Sequence, residues 1–212
     1  MLENIHWLGH DSFRLDGTVN IYVDPWKLSA GLPPADLILV THEHFDHLSL
    51  PDITALAGPD TVVVGPASVT SQLADRETVT VAPGDSTEVR GVGIEAVPAY
   101  NLDKFRAPGQ PYHPREAGHV GYVIALDGVR YYHAGDTDAV PEMADVRCDV
   151  ALMPVGGTFT MTWDEAAAAC GLLHTTAAVP MHYGEVVGDS GDAERFRDHC
   201  SVPVTILPLE RG

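Results

Sequence analysis

The sequence predicts a mixed α/β fold in which strands outnumber helices. Short apolar runs separated by Gly, Pro and Asp recur along the whole chain, the pattern of buried strands closed by turns. Helix-start signals are few, and they fall where the later part of the chain alternates strand with helix. The hydrophobic fraction of 45% is that of a chain with an ordinary core, which excludes global disorder.

The opening reads as a β-meander, with strands over 4–8, 12–15 and 20–23 and turns at Gly9-His10-Asp11 and Asp16-Gly17. The continuous apolar run at 36–40 marks a buried strand. Further strands are expected over 61–64, 79–82, 93–99, 120–126, 129–133, 150–154, 177–181 and 205–207. Between two of them, Asp127-Gly128 supplies hairpin dihedrals. Helices are expected over 49–56, 66–73, 162–173 and 192–199. The third has the clearest start: Thr162 as N-cap, Glu165 three residues on, then an Ala-rich run. The segment 101–118 has no periodicity and holds three prolines and two glycines, as functional loops do.

The chain carries 12 Lys and Arg against 30 Asp and Glu, a net charge of −18. That balance speaks against binding nucleic acid through a basic face and against docking on an anionic membrane. No apolar run approaches the ~18 residues of a membrane helix. The first ten residues have neither a basic segment nor an apolar stretch, so a cytoplasmic location is expected. One domain over 1–212 is the default for this length. Cys148, Cys170 and Cys200 are widely spaced and read as reduced core thiols.

The chemistry concentrates in Thr41-His42-Glu43-His44-Phe45-Asp46-His47, directly after the 36–40 strand. Three histidines and an aspartate at a strand-to-helix junction converge on one point, and imidazole with carboxylate is a zinc-ligand set. This segment resembles the signature of the metallo-β-lactamase superfamily of metallohydrolases. Asn20–Asp24-Pro25, Ala134-Gly135-Asp136-Thr137-Asp138 and Pro180-Met181-His182-Tyr183-Gly184 resemble its other motifs. Trp7-Leu8-Gly9-His10 and Phe159-Thr160-Met161 fit its compact branch, which includes ascorbate-6-phosphate lactonase and the N-acyl phosphatidylethanolamine phospholipase D core.

The resemblance implies a four-layer αββα sandwich with a dinuclear site at one edge. By it, His42, His44 and a third histidine hold the first of two divalent ions; Asp46, His47 and His182 hold the second; Asp136 bridges both. Zinc is the expected metal, with manganese or iron as alternatives. The strand end where relatives place the third histidine carries Asn101, so His113 is the candidate, His119 the runner-up, and Asn101 itself the fallback. The implied chemistry is hydrolysis by a metal-bound hydroxide, with Asp46 and Asp136 as catalytic candidates. Asp24 is expected to orient a ligand histidine through its free ring nitrogen. His10 either lines the site or is a turn histidine, and His133 reads as packed.

Lys104, Arg106 and Arg115 cluster in the 101–118 loop. Lys104 and Arg106 are therefore the expected contacts to a small anionic substrate, a lactone or phosphodiester, and Tyr183 is a separate candidate to hydrogen-bond its transition-state oxyanion. The competing reading of the loop is a solvated segment balancing its own acids. Two competing functions are a diiron redox centre on the same fold, whose group places Glu where His44 stands, and a non-catalytic metal-binding protein. Nothing in the sequence supports a homo-oligomer.

Overall fold

The computed structural model describes residues 1–210. Fourteen strands and four helices follow one another as β1 (Ile5–Gly9), β2 (Ser12–Leu15), β3 (Ile21–Val23), β4 (Ala35–Leu39), α1 (Leu50–Leu56), β5 (Ala57–Gly65), α2 (Ala67–Thr70), β6 (Glu77–Thr80), β7 (Ser86–Val89), β8 (Val92–Pro98), β9 (Phe105–Ala107), β10 (Gln110–Pro111), β11 (Val120–Leu126), β12 (Val129–His133), β13 (Val150–Pro154), α3 (Trp163–Cys170), β14 (Ala177–Met181) and α4 (Ser190–His199). One six-stranded sheet has the order β1-β2-β3-β4-β5-β6, the other β14-β13-β12-β11-β8-β7. Each is antiparallel on one side and parallel on the other: β3 to β6 run parallel, as do β12 to β14.

The continuous apolar run of β4 is explained by burial on both faces. Leu37 and Leu39 pack in the core between the sheets, while Ile38 and the following Val40 pack in a second core with Ile53 and Leu56 of α1 and Val69 of α2. Strand β5 repeats the alternation, with Val62 and Val64 inward and Val63 outward. On the other side, Ala166, Ala169 and Cys170 of α3 and Phe196 of α4 join the main core. The layers are therefore helix, sheet, sheet, helix.

Several expected elements differ at their ends. The strand expected over 205–207 is absent among the described residues; isolated bridges from Val204 to Ala178 and from Leu209 to Trp7 flank it, because Pro203 and Pro208 remove ladder donors on either side. The helix expected over 66–73 shortens to α2 and runs on as turns, and α3 stops at Gly171. Helix α4 starts earlier, capped by Asp189, which accepts from Gly191 N at 2.7 Å. The 101–118 loop is partly ordered by the β9–β10 ribbon, and β7 is an edge strand whose polar sequence hid it. All three cysteines are free, Cys148 and Cys170 buried. No helix among the described residues is long and apolar enough to cross a membrane.

Candidate metal centre

Strands of both sheets end at one edge. There β1 leads into His10 and Asp11, β3 into Asp24, β4 into His42, β12 into Asp136 and β14 into His182. The backbone is left-handed at His10 (φ 50°), Asp24 (φ 45°) and His182 (φ 57°). Such conformations cost non-glycine residues about 1–2 kcal/mol each and persist where the surrounding structure imposes them. At Gly135 (φ 66°) a Cβ would stand 2.9 Å from the Val120 carbonyl oxygen and press on Thr41, so glycine lets the Asp136 turn approach the histidine loop.

Asp24, fully buried, organises that loop. It accepts from Thr41 N at 2.8 Å, from Thr41 Oγ1 at 2.6 Å and from His47 Nδ1 at 2.7 Å. With its one proton given to Asp24, Thr41 Oγ1 accepts from His42 Nδ1 at 3.0 Å. His42 thus carries its proton on Nδ1 and turns a bare Nε2 to the site, while His47, held through Nδ1 by Asp24, aims at the site an Nε2 that gives up its proton when it ligates. His113 is set the same way, its Nδ1 donating to Asn101 Oδ1 at 3.0 Å.

Two ligand sets result. In the first, His44 Nδ1 lies 3.0 Å from His42 Nε2 and 3.2 Å from His113 Nε2, and Asp136 Oδ2 lies 3.2 Å from His113 Nε2. In the second, His47 Nε2 is 3.3 Å from Asp136 Oδ1, His182 Nε2 is 3.3 Å from Asp136 Oδ2, and Asp46 Oδ1 is 4.0 Å from His47 Nε2. Asp136 stands between the sets. Atoms bound about 2.1 Å from one ion stand about 3–3.5 Å apart at angles of about 90–110°, which the contacts of 3.0–3.3 Å match, while the 4.0 Å between Asp46 and His47 corresponds to a wider angle of about 145°. The second set is also short of hydrogen bonds: His47 Nε2, His182 Nε2 and Asp136 Oδ1 are buried with none among the described residues.

The electrostatics divide along the same line. Burial, then the neighbouring His47, holds the His42 imidazole well below its ordinary pKa, and burial with His113 lowers His44. Both are neutral and ready to ligate. At His182 burial opposes protonation, but Asp136 and Asp11 outweigh it and raise the pKa to about 9. Burial is likewise outweighed at His47, by Asp136 and Asp24, and at Asp136, which His182 and His47 keep ionised.

The other expected residues take varied places. His10 is buried, with Nε2 3.3 Å from Asp46 Oδ2 and its ring 4.2 Å from that of His182. His119 faces Glu43 at 3.2 Å, outside the ligand sets, and burial lowers its pKa to about 4. Lys104 is engaged by carboxylates: Nζ meets Asp103 at 2.5 Å, Glu165 at 2.9 Å and Asp138 at 3.7 Å. Arg106 is exposed on the β9–β10 ribbon, and Arg115 pairs with Glu142 at 2.7 Å. Tyr183 is buried, stacked on Trp7 at 5.0 Å, and lies outside the cavity wall. The cavity above the two sets measures about 250 Å³. His44, Asp46, His113 and Asp136 form its floor; Phe45, Tyr112, Phe159 and Val186 form its walls.

The sequence reading missed Asp11. It lies in the turn after β1, among the second set, with no motif to mark it. The only sequence signal was an acidic residue beside His10 at a strand end. Asp138 is a second omission. It accepts from Asn101 Nδ2 at 3.2 Å and from the backbone of Leu102 and Asp103, which positions the Asn101 that holds His113.

Residues 4–182 match the family described as "Beta-lactamase superfamily domain". A metal-dependent hydrolase of Pyrococcus horikoshii is 37% identical over 231 residues, covering 100% of this chain and 98% of the relative. One of Thermococcus kodakarensis is 36% identical over 228 residues, again covering 100% and 98%. A crystal structure from Parabacteroides distasonis, described as a metal-dependent hydrolase, is similar with TM-score 0.84 at 34% identity, covering 97% of this chain and 93% of that one.

Proposed function

This chain belongs to the beta-lactamase superfamily, and from that premise we propose that it is a metal-dependent hydrolase that holds two divalent ions and cleaves a small ester. The observation that carries this reading is the place of Asp136, one carboxylate within 3.3 Å of ring nitrogens from both ligand sets. His42, His44 and His113 would hold one ion, Asp46, His47 and His182 the other, with Asp136 shared. Three imidazoles and a carboxylate suit zinc at the first position. The redox alternative calls for a carboxylate where His44 contributes a third nitrogen.

When bound, such ions supply a water deprotonated near neutral pH and a Lewis acid for the scissile oxygen. The chain's own residues do the rest. Asp24, Thr41 and Asn101 bind the Nδ1–H of three rings and so aim each Nε2 at the site. Asp46 lies in the cavity floor. Burial would raise its pKa, but the hydrogen bond from His10 outweighs that and keeps it ionised, as a ligand carboxylate must be. Phe45, Phe159 and Tyr112 wall the cavity with apolar surface, which favours an ester carrying an apolar group beside the scissile bond. Any negative charge of the substrate then sits on the reacting group, over the floor, since Lys104 is spent on carboxylates. A panel of lactones, aryl esters and phosphodiesters, assayed with the metal-loaded protein and with Asp46→Ala, tests the reading. Turnover of at least one class and its loss by at least about 100-fold in the variant support it; turnover undiminished in the variant contradicts it.

A further inference from the structure

The second ligand set holds one more carboxylate than the resemblance assigns. Asp11 is fully buried, and neither of its carboxylate oxygens has a hydrogen-bond partner among the described residues. Its Oδ2 lies 3.6 Å from His47 Nε2 and 3.8 Å from His182 Nε2, the same two nitrogens that face Asp136. His10 Nε2 is 3.4 Å away. An ionised carboxylate without hydrogen bonds in a dry interior is expensive, and a small apolar side chain would avoid the cost. A cation must compensate it.

Two kinds of cation are at hand, a neighbouring imidazolium in the metal-free protein and a metal ion in the loaded one, and the spacing is that of ligands around an ion. Charge-assisted hydrogen bonds run about 2.7–2.9 Å, shorter than all three contacts of Asp11. Ligands each about 2.1 Å from one ion stand about 3.0–3.8 Å apart for angles from about 90° to about 130°, which spans them. The backbone is held for the purpose. His133 Nε2 donates to the Asp11 carbonyl at 2.9 Å, while its Nδ1 accepts from Gly135 N at 3.2 Å, so one buried histidine ties the Asp11 turn to the Asp136 turn. His182 N donates to the His10 carbonyl at 3.1 Å, tying in the third strand end.

We propose that Asp11 is a ligand of the second metal position and closes its inner side. The inference rests on the reading that these clusters bind metal. It makes the two positions unlike. The first offers three imidazoles and the shared Asp136. The second offers Asp11, Asp46 and Asp136 with two imidazoles, a harder and more negative donor set with room for higher coordination. Such a set favours manganese or ferrous iron relative to zinc, whereas the nitrogen-rich position favours zinc. The chain is then built for a mixed pair of ions.

The test is titration of the metal-free full-length protein and Asp11→Asn with Mn2+ and with Zn2+, by calorimetry and by metal content after desalting. Wild type is expected to bind two ions per chain. Asp11→Asn is expected to keep the first and to weaken the second by about 10–100-fold, with the larger loss for Mn2+. Two ions bound by Asp11→Asn with wild-type affinities overturn the inference and leave the parent reading intact. A wild type that binds fewer than two ions overturns both. Diffraction from crystals of the Mn2+-loaded wild type decides the matter without any variant. An Asp11 oxygen within about 2.4 Å of the inner ion supports the proposal, and one beyond about 3.5 Å overturns it.

Discussion

Asn101 holds His113 at two points, its Oδ1 accepting the backbone N–H at 2.8 Å and the ring Nδ1–H at 3.0 Å. The residue at the strand end where a ligand histidine is expected instead orients the histidine that arrives on the following loop. Asn101→Ala removes both bonds and frees the ring to rotate. Metal affinity at the first position should fall by about 10–100-fold with little change at the second, read by titration with Zn2+. Equal losses at both positions would mean that the variant disturbs the fold.

Asp24 accepts three buried hydrogen bonds, and an asparagine there keeps one acceptor oxygen while turning an amino group toward the remaining donors. Asp24→Asn should lower the stability of the metal-free protein by about 2–4 kcal/mol, measured by urea unfolding. A change below about 0.5 kcal/mol would show that the loop does not depend on this carboxylate.

The pKa of His182, raised to about 9 by Asp136 and Asp11 against the opposition of burial, makes stability and metal uptake move in opposite directions with pH. In the metal-free protein the raised value contributes stability that is complete below about pH 6.5, the unfolded value, and is lost as pH rises through 9. Ligation needs the neutral ring, so metal binding releases a proton and strengthens over the same window. The Tm of the metal-free protein should therefore fall from pH 6.5 to 9 while the gain in Tm on adding Zn2+ grows. A metal-induced gain that shrinks across this window would contradict the assignment of His182 as a ligand.

Lys104 and Phe45 should separate loop structure from substrate contact. Lys104 is bound to Asp103 and Glu165, so Lys104→Ala should cost about 0.5–1 kcal/mol of stability and leave KM unchanged. Phe45 is 68% exposed in the cavity wall, so Phe45→Ala should leave stability within about 0.5 kcal/mol. It should raise KM for an aryl ester by about 5–10-fold, the loss of one apolar contact face. Urea unfolding and steady-state kinetics on both variants check the pair.

The fold and the histidine loop were legible because each rests on local pattern. Continuous apolar runs such as 36–40 announce burial on both faces, and His42, His44, Asp46 and His47 declare themselves by spacing. The early start of β5 at Ala57 and the edge strand β7 were not legible, since ladder hydrogen bonds recruit polar residues that carry no periodicity. Asp11 was hidden for a different reason. Its role arises from three strand ends of two sheets meeting at one edge, a tertiary fact with no short-range trace. The carboxylates that engage Lys104 of the 101–118 loop were not legible either, since Glu165 of α3 lies 61 residues away in sequence.

Hydrolysis of an ester panel by the metal-loaded protein, set against the same concentration of free metal and the chelator-treated protein, tests the central claim most directly. Turnover of at least one ester class is expected far above the free-metal rate, abolished by chelation and restored by adding Zn2+ or Mn2+. A protein that carries its full complement of ions and hydrolyses no ester faster than free metal would contradict it.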